Sequence, residues 1–238
     1  MAQYKTRSGC KDIWNAFMVD GADFSKSNYD IPLCPTTATE LPTDIITYTE
    51  AKVIYKKQLK QGNKDFKFPS YVCFYEDDYK FDTSKGIWSF SNYAKRYLEH
   101  FDGIITPDFS TYQDFPAPIK QYNTYRMRAF GYWFGRLGNN VINNVRWGTK
   151  ETWDYCFDGI PQNSIVAIGI VGSSYWYTEN RKLFDDGFLA MLKRLKPHTI
   201  IVYGSENYHI FDYARLTGTT IVSFPSKTAR DFARRVAV

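Results

Sequence analysis

Short apolar strands alternate with amphipathic helices along most of the sequence, and this alternation constrains the fold more than any other feature. The pattern predicts strands at residues 31–34, 71–75, 103–106, 141–147, 165–171, 199–203 and 219–224. It predicts helices at residues 47–61, 92–100, 120–137, 150–157, 181–195, 208–216 and 226–236, with Thr49 as the N-cap of the first. The chain is therefore expected to fold as a series of β/α units.

The predicted strands are apolar and β-branched along their whole length, as parallel strands buried on both faces are. Parallel strands with right-handed helical crossovers form either a barrel or an open doubly wound sheet. The number of units in 238 residues is typical of a TIM-barrel-like (β/α) domain, here incomplete or irregular. No G-x-G-x-x-G follows an early strand, which weakens the doubly wound alternative. We predict this α/β domain over residues 31–238, after an N-terminal arm or cap over residues 1–30.

Composition and charge limit the classes of function. The four cysteines show no C-x-x-C spacing and there are three histidines, so no zinc site can be drawn and the cysteines fit a reducing cytoplasm. No apolar run is long enough for a membrane span, so we expect a soluble protein with no membrane partner. The formal charge of +5 permits an anionic partner. Basic residues concentrate in the last predicted helix, where Lys227, Arg230 and Arg234 are candidate nucleic-acid contacts.

Acidic residues follow two of the predicted strands at the points where these strands end. In either architecture, ligands bind at the carboxyl ends of the strands. Glu76 and Asp77 follow the second predicted strand, and Asp108, held by Pro107, follows the third. Carboxylates at such positions could act as general acid or base or could hold Mg²⁺, but they could equally cap a helix or close an Asx turn. We predict Asp108, Glu76 and Asp77 as catalytic candidates.

The segment NVRWG at the end of the fourth predicted strand offers ligand-binding groups. Arg146 carries a planar donor fork suited to phosphate or carboxylate, and Trp147 offers an aromatic plane for stacking. Asn144 precedes them. The alternative is that Arg146 pairs with Asp108 or Glu76 and neutralises it. Gly/Ser turns after later strands add Ser173 and Ser205 as candidate phosphate contacts.

Several stretches together resemble the DUF4417 family. They are DIPLCPTTATELPTDIITYTEAK, GIITPDFS, QYNTYRMRAFGYWFGRLG, NNVINNVRWG, TWDYCFDGIPQNSIVAIG and RKLFDDGFLAMLKRLKPHTIIVYG. The resemblance covers roughly residues 30–205 and is most specific in YNTYR, NVRWG and CFDGIP. The family is of uncharacterised function and is met mainly in bacteria, phages and mobile elements. It implies a phage or mobile-element origin and a place in the cytoplasm of a bacterial host, and it assigns no catalytic residue.

Three functions remain open from the sequence. The first is a barrel enzyme acting on a nucleotide or another phosphorylated ligand, for which Asp108→Asn is expected to abolish turnover and leave the melting temperature nearly unchanged. The second is a non-catalytic binder that sequesters a host signal or binds a host protein. The third is a nucleic-acid-binding replication accessory factor. The observation that decides most is whether Glu76, Asp108 and Arg146 converge in one pocket.

Overall fold

Seven parallel strands and seven α-helices alternate along the part of the chain that the structure describes, as the sequence pattern predicts. The structure is a computed structural model that describes residues 6–170 and 177–236. The strands are β1 (Ile45–Thr47), β2 (Phe68–Cys73), β3 (Phe101–Ile105), β4 (Asn140–Asn144), β5 (Ile165–Gly169), β6 (Thr199–Tyr203) and β7 (Thr220–Phe224). The helices are α1 (Tyr48–Lys60), α2 (Ser91–Leu98), α3 (Ala117–Arg136), α4 (Trp153–Cys156), α5 (Thr178–Leu195), α6 (His209–Leu216) and α7 (Lys227–Val236).

Every strand pairs in parallel with the next strand along the chain, so the sheet has the order β1-β2-β3-β4-β5-β6-β7. All crossovers therefore step in the same direction, which is the order of a (β/α) barrel. A doubly wound sheet reverses its direction at one point. Within the residues described, no ladder joins β7 to β1, so the sheet is open on that side. The prediction of an incomplete barrel-like α/β fold is confirmed.

The sheet curls strongly enough to bring distant strands face to face. Tyr75, just after β2, stacks on Tyr203 of β6 with ring centroids 5.2 Å apart. These two strands are separated by four strand spacings, or about 19 Å in a flat sheet. The close approach also requires a glycine on β5, because a Cβ at Gly169 would lie 2.4 Å from Tyr75 Cδ1. The interior of the half-barrel is therefore filled by side chains.

Apolar side chains on successive strand residues enter two different parts of the core. One set packs under the helices on the outer face and includes Val72, Ile104, Val166 and Ile200. The alternate residues fill the inner face and include Tyr71, Ile105, Ala167 and Ile201. Because both faces are buried, the strands carry no polar face that a sequence pattern could reveal.

Helix α7 contacts the open edge of the half-barrel at β1. Arg230 of α7 donates from Nη1 to the carbonyl oxygen of Ile45 at 3.0 Å and from Nη2 to Glu50 at 2.7 Å. Glu50 also forms a capping box with Thr47, which is the N-cap of α1. The arginine thus supplies a donor to an edge carbonyl. In a closed barrel, this carbonyl would accept a hydrogen bond from an eighth strand.

Two sequence predictions at the start of the domain are wrong. Residues 31–34 form no strand, and only an isolated bridge joins Pro32 to Phe24. The first strand is β1, which has only three residues and ends at Thr47, the first residue of the predicted helix 47–61. The N-cap of α1 is therefore Thr47 and not Thr49. Residues after the false strand cross the amino end of the half-barrel instead, where Thr37 N donates to Val141 O at 3.0 Å.

A fully buried arginine on α3 supports the carboxyl end of β4. Arg128 donates to the backbone oxygens of Asn144, Cys156 and Asp158 at 3.0, 3.1 and 3.1 Å. Burial lowers the pKa of Arg128 to about 10. Its guanidinium replaces the backbone partners that these three carbonyls lack where β4 and α4 end.

Candidate functional site

A cavity of about 520 Å³ opens at the carboxyl ends of the strands, where ligands bind in folds of this kind. It brings together residues from the loops after β2, β3, β4 and β7. The sequence-predicted residues that line it are Glu76, Asp77, Asp108, Arg146, Trp147 and Lys227. The convergence of Glu76, Asp108 and Arg146 that the sequence left open is therefore present in the structure.

Asp108 and Arg146 form a bidentate ion pair in this cavity. Arg146 Nε donates to Asp108 Oδ1 at 2.8 Å, and Nη2 donates to Oδ2. Asp108 follows β3 and is 6% exposed, whereas Arg146 follows β4 and is 26% exposed at its side chain. Two parallel hydrogen bonds fix the plane of the guanidinium as well as its position. The pairing that the sequence posed as an alternative is the one observed.

Asn144 holds Asp108 from the protein side. Its Nδ2 donates to Asp108 Oδ1 at 2.8 Å, while its Oδ1 accepts from the hydroxyl of Tyr75 at 3.0 Å. Asn144 is fully buried and does not line the cavity. Both ends of its amide are used within the protein, and the contact of Asn144 with a ligand stays a prediction. Its role is to orient the carboxylate.

The remaining donors of Arg146 are available for an anion. A guanidinium has five N–H donors, and within the residues described only Asp108 accepts from this one. Burial by itself would lower the pKa of Arg146, but the charge of Asp108 and the hydrogen bonds to it outweigh burial and raise the pKa. Burial, with the charge of Asp108, also raises the pKa of Tyr75 well above its usual range. Arg146 is thus a fixed cation and Tyr75 a neutral donor.

The two acids after β2 have different surroundings. Glu76 is nearly buried and accepts from the backbone N–H of Thr49 in the first turn of α1 at 2.9 Å. A carboxylate at this place stabilises the helix N-terminus. Asp77 is 63% exposed and pairs with Lys80 at 3.2 Å. Glu76 is therefore a helix-capping residue at the cavity wall, and Asp77 lies at the rim.

Trp147 forms part of the cavity wall by packing on α5. Its ring centroid lies 5.1 Å from that of Phe184. A Cβ at Gly187 would lie 2.1 Å from Trp147 Cδ1, so this helix position tolerates no side chain. The indole is half-buried, and its edge lines the same cavity as Arg146. The use of this aromatic plane for stacking a ligand stays a prediction.

The cavity wall also includes residues that the sequence did not assign to a small-ligand site, among them Lys80, Tyr112 and Lys227. Lys80 pairs with Asp77, and Tyr112 lies in the loop after Asp108. Lys227, expected to contact nucleic acid, lines the cavity at the start of α7, where its backbone N–H donates to the hydroxyl of Tyr203 at 2.9 Å. Lys80 lies four residues after Glu76, and Tyr112 lies four residues after Asp108. This short distance from a predicted site residue is the sequence signal for both.

Comparison with known proteins supports the resemblance described above. The sequence profile of DUF4417, a domain of unknown function, matches residues 24–225. The chain belongs to the DUF4417 family. The matched part contains Asp108, Arg146 and most of the cavity wall, and Lys227 lies just beyond it.

Two relatives of this DUF4417 protein come from mycobacteriophages. The Gene 1 protein of Mycobacterium phage L5 is 34% identical over 203 residues, which cover 85% of this chain and 82% of the relative. The Gene 1 protein of Mycobacterium phage D29 is 30% identical over 208 residues, which cover 87% of this chain and 71% of the relative. No solved structure matches the chain. Both relatives are phage proteins, which agrees with the occurrence of the DUF4417 family in phages.

Three other predicted contacts, Ser205, Arg230 and Arg234, do not line the cavity. Ser205 is exposed and accepts from the backbone of Asn207 at 3.2 Å, so it closes a turn. Ser173 lies outside the described residues. Glu50 and two backbone carbonyls accept from the guanidinium of Arg230, and its contact with nucleic acid stays a prediction. Arg234 is 75% exposed and lies 3.9 Å from Asp231.

Two further searches of the described ranges bear on metals and membranes. No group of three or more His, Cys, Asp or Glu side chains there could hold a metal ion. The Mg²⁺ that the acidic residues suggested therefore has no such cluster among residues 6–170 and 177–236. In the same ranges no helix combines the length and the apolar character that crossing a bilayer requires.

Proposed function

We propose that this DUF4417 protein binds a small phosphorylated ligand of the nucleotide class in the cavity at the carboxyl ends of its strands. The observation that carries the proposal is the anchored arginine. Asp108 holds one edge of Arg146, and no other described residue accepts from the guanidinium. An arginine pre-oriented in this way loses little conformational freedom when an anion binds to its remaining donors.

Other features of the cavity suit the same class of ligand. Lys80 and Lys227 also line the wall, where Lys80 pairs with Asp77 at 3.2 Å and Lys227 pairs with Asp231. Trp147 and Tyr112 supply aromatic surface against which a base could stack. A volume of about 520 Å³ lies within the range of small-molecule sites. Together these features combine an anion contact with an apolar wall, as a nucleotide requires.

Binding fits the cavity better than acid–base catalysis does. Asp108 accepts hydrogen bonds at both oxygens, Glu76 holds the first turn of α1, and Asp77 pairs with Lys80 at the rim. A general base needs a free lone pair within reach of the proton that it removes. We therefore assign Asp108 the role of positioning Arg146 and propose a binder that retains its ligand unchanged.

The test is isothermal titration with nucleoside monophosphates and triphosphates, with the unphosphorylated nucleosides and inorganic phosphate as comparisons. Arg146→Met is expected to lower nucleotide affinity by about 10- to 100-fold, because a charge-assisted hydrogen bond contributes about 1.5–3 kcal/mol. The matched control is Arg194→Met. Arg194 also pairs with an almost buried acid, Asp158, but does not line the cavity.

Two results would overturn the proposal. One is the absence of binding by any nucleotide to the unmodified protein. The other is an equal loss of affinity in Arg194→Met, which would trace the effect of Arg146→Met to general destabilisation. Mass spectrometry of the bound ligand after long incubation separates binding from catalysis. We expect to recover the ligand unchanged. The appearance of a product would refute binding without catalysis and would support the enzyme hypothesis instead.

A further inference from the structure

The net charge of the chain is concentrated on one helix and the loop after it. Residues 52–67 contain six lysines and a single acid, Asp65, which is a net charge of +5. The formal charge of the entire chain is also +5, so the other residues sum to zero. This concentration lies on α1, far along the sequence from the basic C-terminal helix. Helix α7 carries a second concentration of positive charge, from Lys227, Arg230, Arg234 and Arg235 against Asp231.

Four of these lysines lie on α1, and we call them the lysine face: Lys52, Lys56, Lys57 and Lys60. Lys56, Lys57 and Lys60 are exposed, whereas Lys52 is half-buried beside Tyr48, which is buried four residues earlier on the same side of the helix. Lys52, Lys56 and Lys60 follow each other at every fourth residue, which places them in one row with about 6 Å of helix rise between neighbours. Lys64 and Lys67 are exposed in the loop that follows the helix.

The lysine face has no carboxylate partner among the residues described. Two arginines elsewhere, Arg126 and Arg230, form ion pairs with Asp82 and Glu50. By contrast, none of the six lysines in residues 52–67 forms an ion pair within the described part of the chain. Lys52 lies over the ring of Tyr48 at 5.0 Å, and Lys67 donates to a backbone oxygen at 2.7 Å. Like charges left uncompensated in a row cost free energy unless an anion covers them.

From this arrangement we propose that the lysine face of α1 is a binding surface for the phosphate backbone of a nucleic acid. A row of unpaired cations matches a polyanion, and lysine contacts to phosphate supply affinity without sequence specificity. An acidic protein partner fits less well, because protein interfaces are depleted of lysine and centre on buried aromatic residues. This surface is separate from the cavity and does not depend on what the cavity binds.

The test is fluorescence anisotropy of the full chain with labelled single-stranded and double-stranded DNA between about 50 and about 200 mM salt. If about four phosphates are neutralised, the slope of log K against log salt is expected near −3 to −4. The double variant Lys56→Gln/Lys60→Gln should flatten this slope by about 1.4–1.8 and lower affinity at about 0.1 M salt by about 25- to 60-fold. Its melting temperature should stay near that of the parent, because both side chains are exposed.

The matched control is Arg234→Gln/Arg235→Gln, which removes two exposed charges from α7. We expect this control to keep the parental salt slope. An equal flattening in both double variants, or none in the α1 variant, would overturn the assignment to α1. Failure to bind either DNA at about 50 mM salt would overturn nucleic-acid binding itself. Equal affinity for poly-glutamate under the same conditions would instead assign the surface to an acidic polypeptide.

Discussion

Asp108→Asn separates a structural role for this carboxylate from a catalytic one. The substitution keeps the size of the side chain and removes its charge, so Arg146 loses its counter-ion in a largely buried place. A purely catalytic Asp108 could be replaced with little effect on stability, which is what the sequence led us to expect. The ion pair to Arg146 and the bond from Asn144 predict the opposite.

The expected magnitude follows from burial. Removing one partner of a buried ion pair typically costs about 3–5 kcal/mol. Arg146 is 26% exposed, so water can solvate part of its charge and the expected cost falls to about 2–3 kcal/mol. For a chain of this size, each kcal/mol lowers the melting temperature by about 2–4 °C, which gives a decrease of about 4–12 °C.

The assay is thermal and urea unfolding of a double-mutant cycle with Asp108→Asn, Arg146→Met and both together. Because the pair interacts directly, the double variant should be more stable than the sum of the single losses implies, by about 1–3 kcal/mol. An unchanged melting temperature for Asp108→Asn would refute the structural reading of this pair. Strict additivity in the cycle would show that the two side chains do not depend on each other.

Two further predictions concern buried groups outside the cavity. Arg128→Met should destabilise the fold by about 3–5 kcal/mol in urea unfolding, because three buried carbonyls lose their donor; a loss below about 1 kcal/mol would contradict this role. Burial raises the pKa of Cys34 and of Cys156 to about 12 and also raises that of Cys73. At neutral pH only the exposed Cys10 should therefore react quickly with a thiol reagent, whereas all four cysteines should react after unfolding. Rapid modification of a second thiol in the folded protein would show that the core opens there.

Polar residues at the ends of strands could be predicted from the sequence, because strand polarity in a β/α chain determines where loops cluster. The sequence therefore selected Asp108, Arg146 and Trp147 correctly as residues of one mouth. It did not indicate that Asn144 is a buried partner of Asp108. A polar residue near the end of a strand can lie on the inner face of the sheet or in the loop that follows. The sequence alone does not distinguish these two positions.

The basic residues show a different limit of sequence reasoning. Arg230, Lys227 and Arg234 are neighbours in sequence, yet one joins α7 to β1, one lines the cavity and one is exposed. Their roles depend on which side of α7 faces the half-barrel. A count of charge alone could have pointed to residues 52–67, but whether these lysines are paired is visible only when the acidic residues are in place.

The alternation of strands and helices determined the class of the fold, because buried parallel strands and amphipathic crossovers leave few other arrangements. It also placed the polar loops at one end of the sheet. Only the tertiary structure decided that the first strand is Ile45–Thr47, since three residues carry too little pattern to be recognised without their neighbour β2. It likewise decided that Asp108 belongs to Arg146, because the choice of partner depends on distances between residues that lie far apart in the chain.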